Sequence, residues 1–354
     1  MSAVCSALSS AVSSAVCSAA GPIDIVYLWV DGADPVWQQR RQQAYAAWVL
    51  QHPQALAAFG NVAGRYRDNG ELRYSLRALE KFFPTHGHVY IVTDGQTPPW
   101  LQSSKRVSVI DHSSLIPAGD RPVFDSGHIE SYLHHIPGLS ERFLYLNDDV
   151  FLGAPLDPDW WFGERLKVFI ESARIPAYSV LQQEATALVN ASIQSNHWLR
   201  KYDAAYRHDH RVYAHAPRPM LKSATQQLED LAPALFAQLR STVFRSWRVP
   251  TVVPDLLPRW MVHTGIAEQV VQEPLYISTC DADAALQFDA LQRQFGALPF
   301  FCINDTCDDA LDDDPRLLRI GQTLAALLPE PSSFECAAVH QNSTSKMIAA
   351  SARV

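Results

Sequence analysis

The chain contains no stretch approaching the roughly 18 consecutive apolar residues that a membrane-spanning helix needs, so the sequence predicts no transmembrane segment. Positive charge is also scarce. Lysine and arginine number 29 against 37 aspartates and glutamates, a net charge of -8 at pH 7, and such a chain lacks the basic face with which general nucleic-acid binders neutralise phosphates. Cysteine is sparse: Cys5, Cys17, Cys280, Cys302, Cys307 and Cys336 are scattered over 354 residues with no CxxC pair. That excludes a disulfide-dense scaffold and the usual zinc-ligand spacing. Cys302 and Cys307 are near enough in sequence to bridge a loop, whereas free thiols are the expectation in a reducing compartment. The Ala-, Ser- and Val-rich stretch 1–22 lacks the basic n-region of a secretory signal and reads as a disordered leader. Sequons at Asn190, Asn304 and Asn342 matter only in a secreted protein.

What remains is an ordinary globular composition, 47% hydrophobic and 19% charged, in a chain long enough for one large domain or two moderate ones. "IDIVYLWVDGADP" (23–35) is a β-branched and aromatic run closed by turn residues, the pattern of a buried strand. A helical stretch is expected over 36–59. An amphipathic helix follows, with Leu72, Leu76, Leu79 and Phe83 at helical spacing and Pro84 as its stop. "HVYIVTDGQ" and "RVSVIDH" read as further strands, "FDSGHIESYLHHIPGLS" as a short helix capped by Asp125 or Ser126, and "FLYLNDDVFLG" (143–153) as a fourth strand.

This alternation predicts an α/β fold with a mostly parallel sheet. Ligands of such sheets bind beyond the carboxyl ends of the strands, where Asp31, Asp34, Asp94, Asp111, His112, Asn147, Asp148 and Asp149 would gather. From about 160 to 300 the pattern turns mainly helical, and "LPFFCINDTCDDALDDDP" then repeats the grammar of a short strand ending in Asn304, Asp305 and an acidic loop. The expected divisions are a leader (1–22), an α/β part bearing those acidic strand ends (23–160), a mainly helical part (161–300), and a C-terminal strand, acidic loop and tail (301–354) completing the same domain.

Adjacent carboxylates at a strand tip pose an electrostatic question, since two like charges about 4 Å apart repel by roughly 1 kcal/mol even in water. A hard divalent cation such as Mg2+ or Mn2+ answers it. Asp148 and Asp149 are the first candidate ligands, with Asn304 and Asp305 as helpers. A cap or turn at a strand end, and a solvated acidic loop, are the plain alternatives.

Taken together, "DIVYLWVDGADP", "RYRDNGELRYSLRALEKF", "VYIVTDGQTPPWL", "IESYLHHIPGLSERFLYLNDDVFLG", "HAPRP" followed by "FRS", and "CINDTCDDAL" with "PEPSSFE" resemble, in order, the four signature regions of the Stealth family. That family comprises bacterial capsule and cell-wall polysaccharide hexose-1-phosphate transferases and the catalytic core of the animal lysosomal-enzyme GlcNAc-1-phosphotransferase. The resemblance covers roughly 23–335. It implies a glycosyltransferase-A-like sheet and transfer of a sugar 1-phosphate from a UDP-sugar to a carbohydrate hydroxyl, with release of UMP. It also places the family's active-site Glu, Asp, His and Arg on Glu130, Asp149, His215 and Arg245. Two departures, "RPVF" at 121–124 and the Thr-Cys after Asn304 and Asp305, bear on the acceptor more than on the chemistry.

The residue types suit that chemistry. Phosphoryl transfer asks the protein for position and countercharge, and Arg245 can offer parallel donors to phosphate oxygens. His215 has the pKa range of a general base for the acceptor hydroxyl. Glu130 is left to orient His215, take a proton or hold a sugar hydroxyl. Trp29, Asp31 and Gly32 end the first strand where a uracil can stack, and the resemblance places Asn69, Glu71, Arg73 and Arg77 beside the nucleotide or buttressing it. An ordinary glycosyltransferase releasing UDP is the nearest alternative, and a non-catalytic carbohydrate-binding protein the next. The family's setting implies a cytoplasmic protein, peripheral to the inner face of the membrane or its export complex, and leaves a homodimer open.

Overall fold

The computed structural model describes residues 21–311 and 313–336. Residues 1–20 of the expected leader, Cys5, Cys17, the Asn342 sequon and the tail after 336 lie outside the described residues. β1 (Ile23–Leu28) is buried along its whole length, as a central strand covered on both faces must be. α1 (Pro35–Gln51) follows, its first turn closed by Asp34, whose side chain accepts from the amides of Val36 and Trp37, with Pro35 at the start. It ends eight residues before the expected limit of 59. His52 precedes Pro53, and the residue before a proline is pushed out of the helical region.

α2 (Glu71–Phe82) lays Leu72, Leu76 and Leu79 against the sheet, all fully buried. β2 (Val89–Thr93), β3 (Val107–Asp111), α3 (Ser126–Glu130) and β4 (Arg142–Asn147) complete the first half, with Asp125 capping α3. β5 (Val150–Leu152), β6 (Leu166–Arg174), α4 (Ala187–Tyr202), β7 (Arg211–Tyr213) and β8 (Arg218–Leu221) come next. The main sheet has the order β3-β2-β1-β4-β8. Its first four strands are parallel and β8 is antiparallel to β4, so the α/β expectation holds. The strand order reverses between β1 and β4, and their carboxyl ends frame the crevice where ligands of such sheets bind.

In the stretch 161–300, expected to be mainly helical, the helices are interspersed with strands. α5 (Lys222–Leu231), α6 (Pro233–Leu239), α7 (Leu256–His263) and α8 (Ala284–Gln294) are joined there by strands, including β9 (Ala267–Val271) and β10 (Leu275–Ser278). β7-β6-β9 form one three-stranded sheet, while β10 pairs with β11 (Phe300–Asn304), which pairs in turn with β5. The short alternating strands 211–213 and 218–221 carry too few residues for a periodicity to show. α9 (Pro315–Leu327) closes the described chain.

One large core runs through the main sheet, with Phe143 and Tyr145 of β4 fully buried; each such side chain contributes roughly 1.5–3 kcal/mol. A smaller core lies between β11, α8 and α9, and a third is built from Trp37, Trp48, Tyr66, Phe124 and Phe244. The sequon residue Asn190 is buried, and its side chain exchanges two hydrogen bonds with the main chain of Gln182, so its amide is a packing group. Among the described residues, no helix is long and apolar enough to cross a membrane.

Candidate active site

A cavity of about 690 Å³ opens at the carboxyl ends of β1 and β4, within the range of sites that take a drug-sized ligand. Its position follows from the chain path. β4 ends at Asn147, and Asp148 and Asp149 occupy the tip before β5. Because β8 runs antiparallel to β4, with Arg218 opposite Tyr145, the connection leading into β8 arrives at that same tip. It carries His215.

His215 Nε2 lies 3.3 Å from Asp149 Oδ1, with side chains 27% and 19% exposed. The Cys302 thiol, on β11, donates to Asp149 Oδ2 at 3.4 Å. Burial alone would raise the Asp149 carboxyl, yet the His215 charge and the two hydrogen bonds hold it below the usual carboxylate range. Asp148 goes the other way. Burial, then the charges of Asp149, Glu71 and Asp68, push it well above its ordinary value. Glu71 itself, at the first turn of α2, is pushed up to about 8, chiefly by burial.

The same cavity also has a basic lining. Arg245 donates from Nη2 to Ser126 Oγ at 2.6 Å, and Arg65 donates from its own Nη2 to the same oxygen at 3.1 Å. Arg245 Nε is buried without a hydrogen-bond partner, 3.7 Å from Asp125 Oδ1. Burial and then the charge of Arg65 lower its pKa. Two guanidiniums sharing one neutral hydroxyl leave positive charge facing the cavity, an arrangement suited to phosphate oxygens. Glu130, on α3, is a buried residue of the cavity lining. Tyr145 donates to its Oε1 at 2.9 Å, Asn147 donates to the Tyr145 oxygen at 3.2 Å, and Oε2 has no partner. Burial raises this carboxyl, with Arg218 and Arg245 opposing.

The residues singled out by sequence divide cleanly. Glu130, Asp148, Asp149, His215, Arg245, Trp29, Asn304 and Asp305 all line the cavity. Asp305 does so with a committed carboxylate: it is ion-paired to Arg67, accepts from Asn69, and receives the Cys307 amide at 2.9 Å. Its expected ligand role is corrected on that ground. Asn304 donates from its amide nitrogen to the Tyr276 hydroxyl. Asp31 caps the amide of Ala33. Gly32 meets a steric need, since a Cβ there would stand 2.2 Å from the Tyr66 carbonyl oxygen. Asn69 is bound to Glu71.

Arg73 and Arg77 are not brought to the cavity. Both grip Glu335, Arg77 through Nε at 2.7 Å and Nη2 at 2.8 Å, and Arg77 also donates to the Leu328 carbonyl at 2.8 Å. Sequence reasoning passed over Arg65, Ser126, Arg218 and Cys302. Arg65 and Arg218 sit inside quoted motifs, but nothing local distinguishes a cavity-facing arginine from a solvated one. A Cys302–Cys307 bridge, the alternative to the expected free thiols, is set aside, because Cys302 is directed at Asp149 and Cys307 at Cys280.

Two family models match the sequence, Stealth protein conserved region 1 over residues 21–45 and conserved region 2 over residues 65–170. An exopolysaccharide phosphotransferase of Streptomyces coelicolor is 36% identical over 321 residues, 89% of this chain and 52% of that protein. The capsular polysaccharide phosphotransferase LcbA of Aeromonas hydrophila is 32% identical over 291 residues, 80% of this chain and 79% of that protein. The chain spans 52%, 33% and 57% of the three Streptomyces coelicolor relatives it matches. Among solved structures it is similar to the galactosyltransferase LgtC in complex with donor and acceptor sugar analogs, at 9% identity and a TM-score of 0.41, covering 88% of this chain and 98% of that one. That likeness is too loose to bear on chemistry.

Proposed function

This chain belongs to the Stealth family, and we propose that it moves a hexose 1-phosphate from a UDP-sugar to a carbohydrate hydroxyl in surface polysaccharide synthesis. The observation that carries this reading is one cavity lined by both the Asp149–His215 pair and the Arg65–Ser126–Arg245 cluster. His215 takes the proton of the acceptor hydroxyl, and Asp149, 3.3 Å away, steadies the imidazolium that forms. The acceptor oxygen bonds to the sugar-bearing phosphorus while the bond from that phosphorus to the bridging oxygen breaks, and UMP leaves with the electron pair. Arg245 and Arg65 bear the negative charge of the phosphoryl oxygens. The unpartnered Glu130 Oε2 is available to a sugar hydroxyl, and Trp29 at the end of β1 offers a face to the uracil.

The carboxylate tip fits a divalent cation. Asp148 is pushed far above its normal range by burial and by three other carboxylates, a site lacking positive charge, and its oxygen donors are those Mg2+ or Mn2+ selects. Asp148 and Asp149 would hold the ion with the side-chain oxygen of Asn304. Asp305 would not, since Arg67 already neutralises it. When bound, such an ion supplies positive charge shared between the carboxylates and the diphosphate.

The test is incubation with a panel of UDP-sugars and oligosaccharide acceptors, with Mg2+ or Mn2+, reading the nucleotide product. UMP is the expected product. UDP would make the protein an ordinary glycosyltransferase. Neither nucleotide, with sugar binding intact, would make it a binding protein.

A further inference from the structure

The carboxyl ends of β10 and β11 carry two cysteines for which the proposed reaction has no use. Beyond the paired residues Ser278 and Asn304, the strands stay zipped by main-chain and side-chain hydrogen bonds. Thr279 N donates to the Asn304 carbonyl at 3.1 Å, Thr306 N donates to Thr279 Oγ1 at 3.1 Å, and the Ser278 and Thr306 hydroxyls lie 2.9 Å apart. This brings Cys280 and Cys307 face to face. Their sulfurs are 2.8 Å apart, well inside the contact distance of two non-bonded sulfur atoms. Cys307 is buried and Cys280 exposed, so one thiol is shielded while the other meets solvent. Arg316 Nη1 lies 3.5 Å from the exposed sulfur.

We propose that Cys280 and Cys307 form a covalent modification site, a dithiol that closes into a disulfide across the ends of β10 and β11. The oxidant is a small-molecule disulfide. The Cys280 thiolate attacks one sulfur of RS–SR, forming a mixed disulfide and expelling RS⁻. Cys307, as thiolate, then attacks the Cys280 sulfur and expels the second RS⁻. Two protein thiols are oxidised to one bond, RS–SR is reduced to two thiols, and the two protein protons end on the leaving groups. The bond would pin the segment holding Asn304 and Asp305, which is also tied by the Gly64 amide donating to the Cys307 carbonyl at 3.0 Å and by the Arg67 ion pair.

The geometry stands whether or not the chain transfers hexose phosphate, so the test avoids activity. The full chain is treated with oxidised glutathione or with dithiothreitol, alkylated in denaturant and mapped by mass spectrometry. Oxidised wild type is expected to lose two alkylatable thiols and yield a 280–307 cross-linked peptide lighter by two hydrogens. Its melting temperature should exceed that of the reduced form. Cys307→Ser should stop at a single glutathione on Cys280, with no change in melting on reduction beyond that adduct. Wild type that keeps both thiols alkylatable, halts at the Cys280 adduct, or links either cysteine to Cys302 or Cys336 would overturn the proposal. Circular dichroism of Cys307→Ser guards against a folding defect, and the wild-type peptide map decides the matter without the variant.

Discussion

A buried arginine and a partly exposed one have opposite surroundings in this protein. Arg259, on α7, meets Asp255 with two hydrogen bonds at 2.7 and 3.0 Å, and donates to the carbonyls of Asp209 and Arg211 at 2.7 and 2.5 Å. Burial would lower its pKa, but Asp255 raises it. Arg245 has a neutral hydroxyl as its hydrogen-bond partner, another arginine beside it, an unpartnered Nε and a lowered pKa. The first guanidinium is spent on the fold, while the second, with Asp125 at 3.7 Å and no carboxylate hydrogen-bonded to it, keeps donors for something that is not protein. The carboxylates divide the same way, Glu335 against Asp148. A buried charge is therefore informative about function only after its partners have been counted.

The division is broken most directly by removing the two kinds of group. His215→Ala and Arg245→Ala are each expected to lower the rate of UMP release on the order of 10³-fold, with melting temperature moving by only a few degrees. Loss of folding in Arg245→Ala comparable to that in Arg259→Ala, measured by calorimetry, would erase the distinction. Arg259→Ala is the complementary case. It leaves Asp255 buried and unpaired, which costs about 3–5 kcal/mol and a melting shift on the order of 10 °C, while soluble protein that survives at low temperature keeps its donor affinity.

Much of this was legible in the sequence. The long apolar runs of β1, β2 and β4 and the periodicity of α2 announced a parallel α/β sheet, and the rule about strand ends pointed to the edge where the cavity opens. Asp148 and Asp149 were visible because adjacent like charges at the end of a buried run demand a reason. Arg73 and Arg77 were misplaced because helical spacing tells which face a residue occupies and not what lies across from it; their partner Glu335 is more than 250 residues away in sequence. Asp305 misled for the same reason, its arginine being 238 residues distant. The Arg65–Ser126–Arg245 cluster joins three segments with no local signature, so only the folded chain shows it.

Glu335 sharpens the comparison at acid pH. Burial opposes its charge, but Arg77 and Arg73 hold the carboxyl down to about 2 from an ordinary 4.5. A depressed acid contributes stability that is complete above the unfolded value and fades as pH falls through the folded one. The stability gap between wild type and Glu335→Gln should be widest above pH 4.5 and close progressively toward pH 2. Urea titrations across that window check it, and a gap that stays constant with pH would mean the ion pairs contribute nothing.

The smallest effect belongs to Asp148, and its sign is the opposite. Here the folded carboxyl lies well above the unfolded value of 3.8, so the folded state holds the proton more tightly than the unfolded one. Its contribution is complete below the unfolded value and is lost as pH rises through the folded one. Asp148→Asn mimics the protonated form, so it should match wild type near pH 4 and exceed it at pH 8 by on the order of 1 kcal/mol when a chelator is present. Saturating Mg2+ or Mn2+ should reverse the order, because a ligand of the folded state stabilises the chain that binds it. Thermal melts of the two proteins at both pH values, with chelator and with metal, read all four corners. Were Asp148→Asn less stable than wild type at pH 8 in chelator, Asp148 would belong with Glu335 among the charges that hold the fold, and the acidic tip would need no cation.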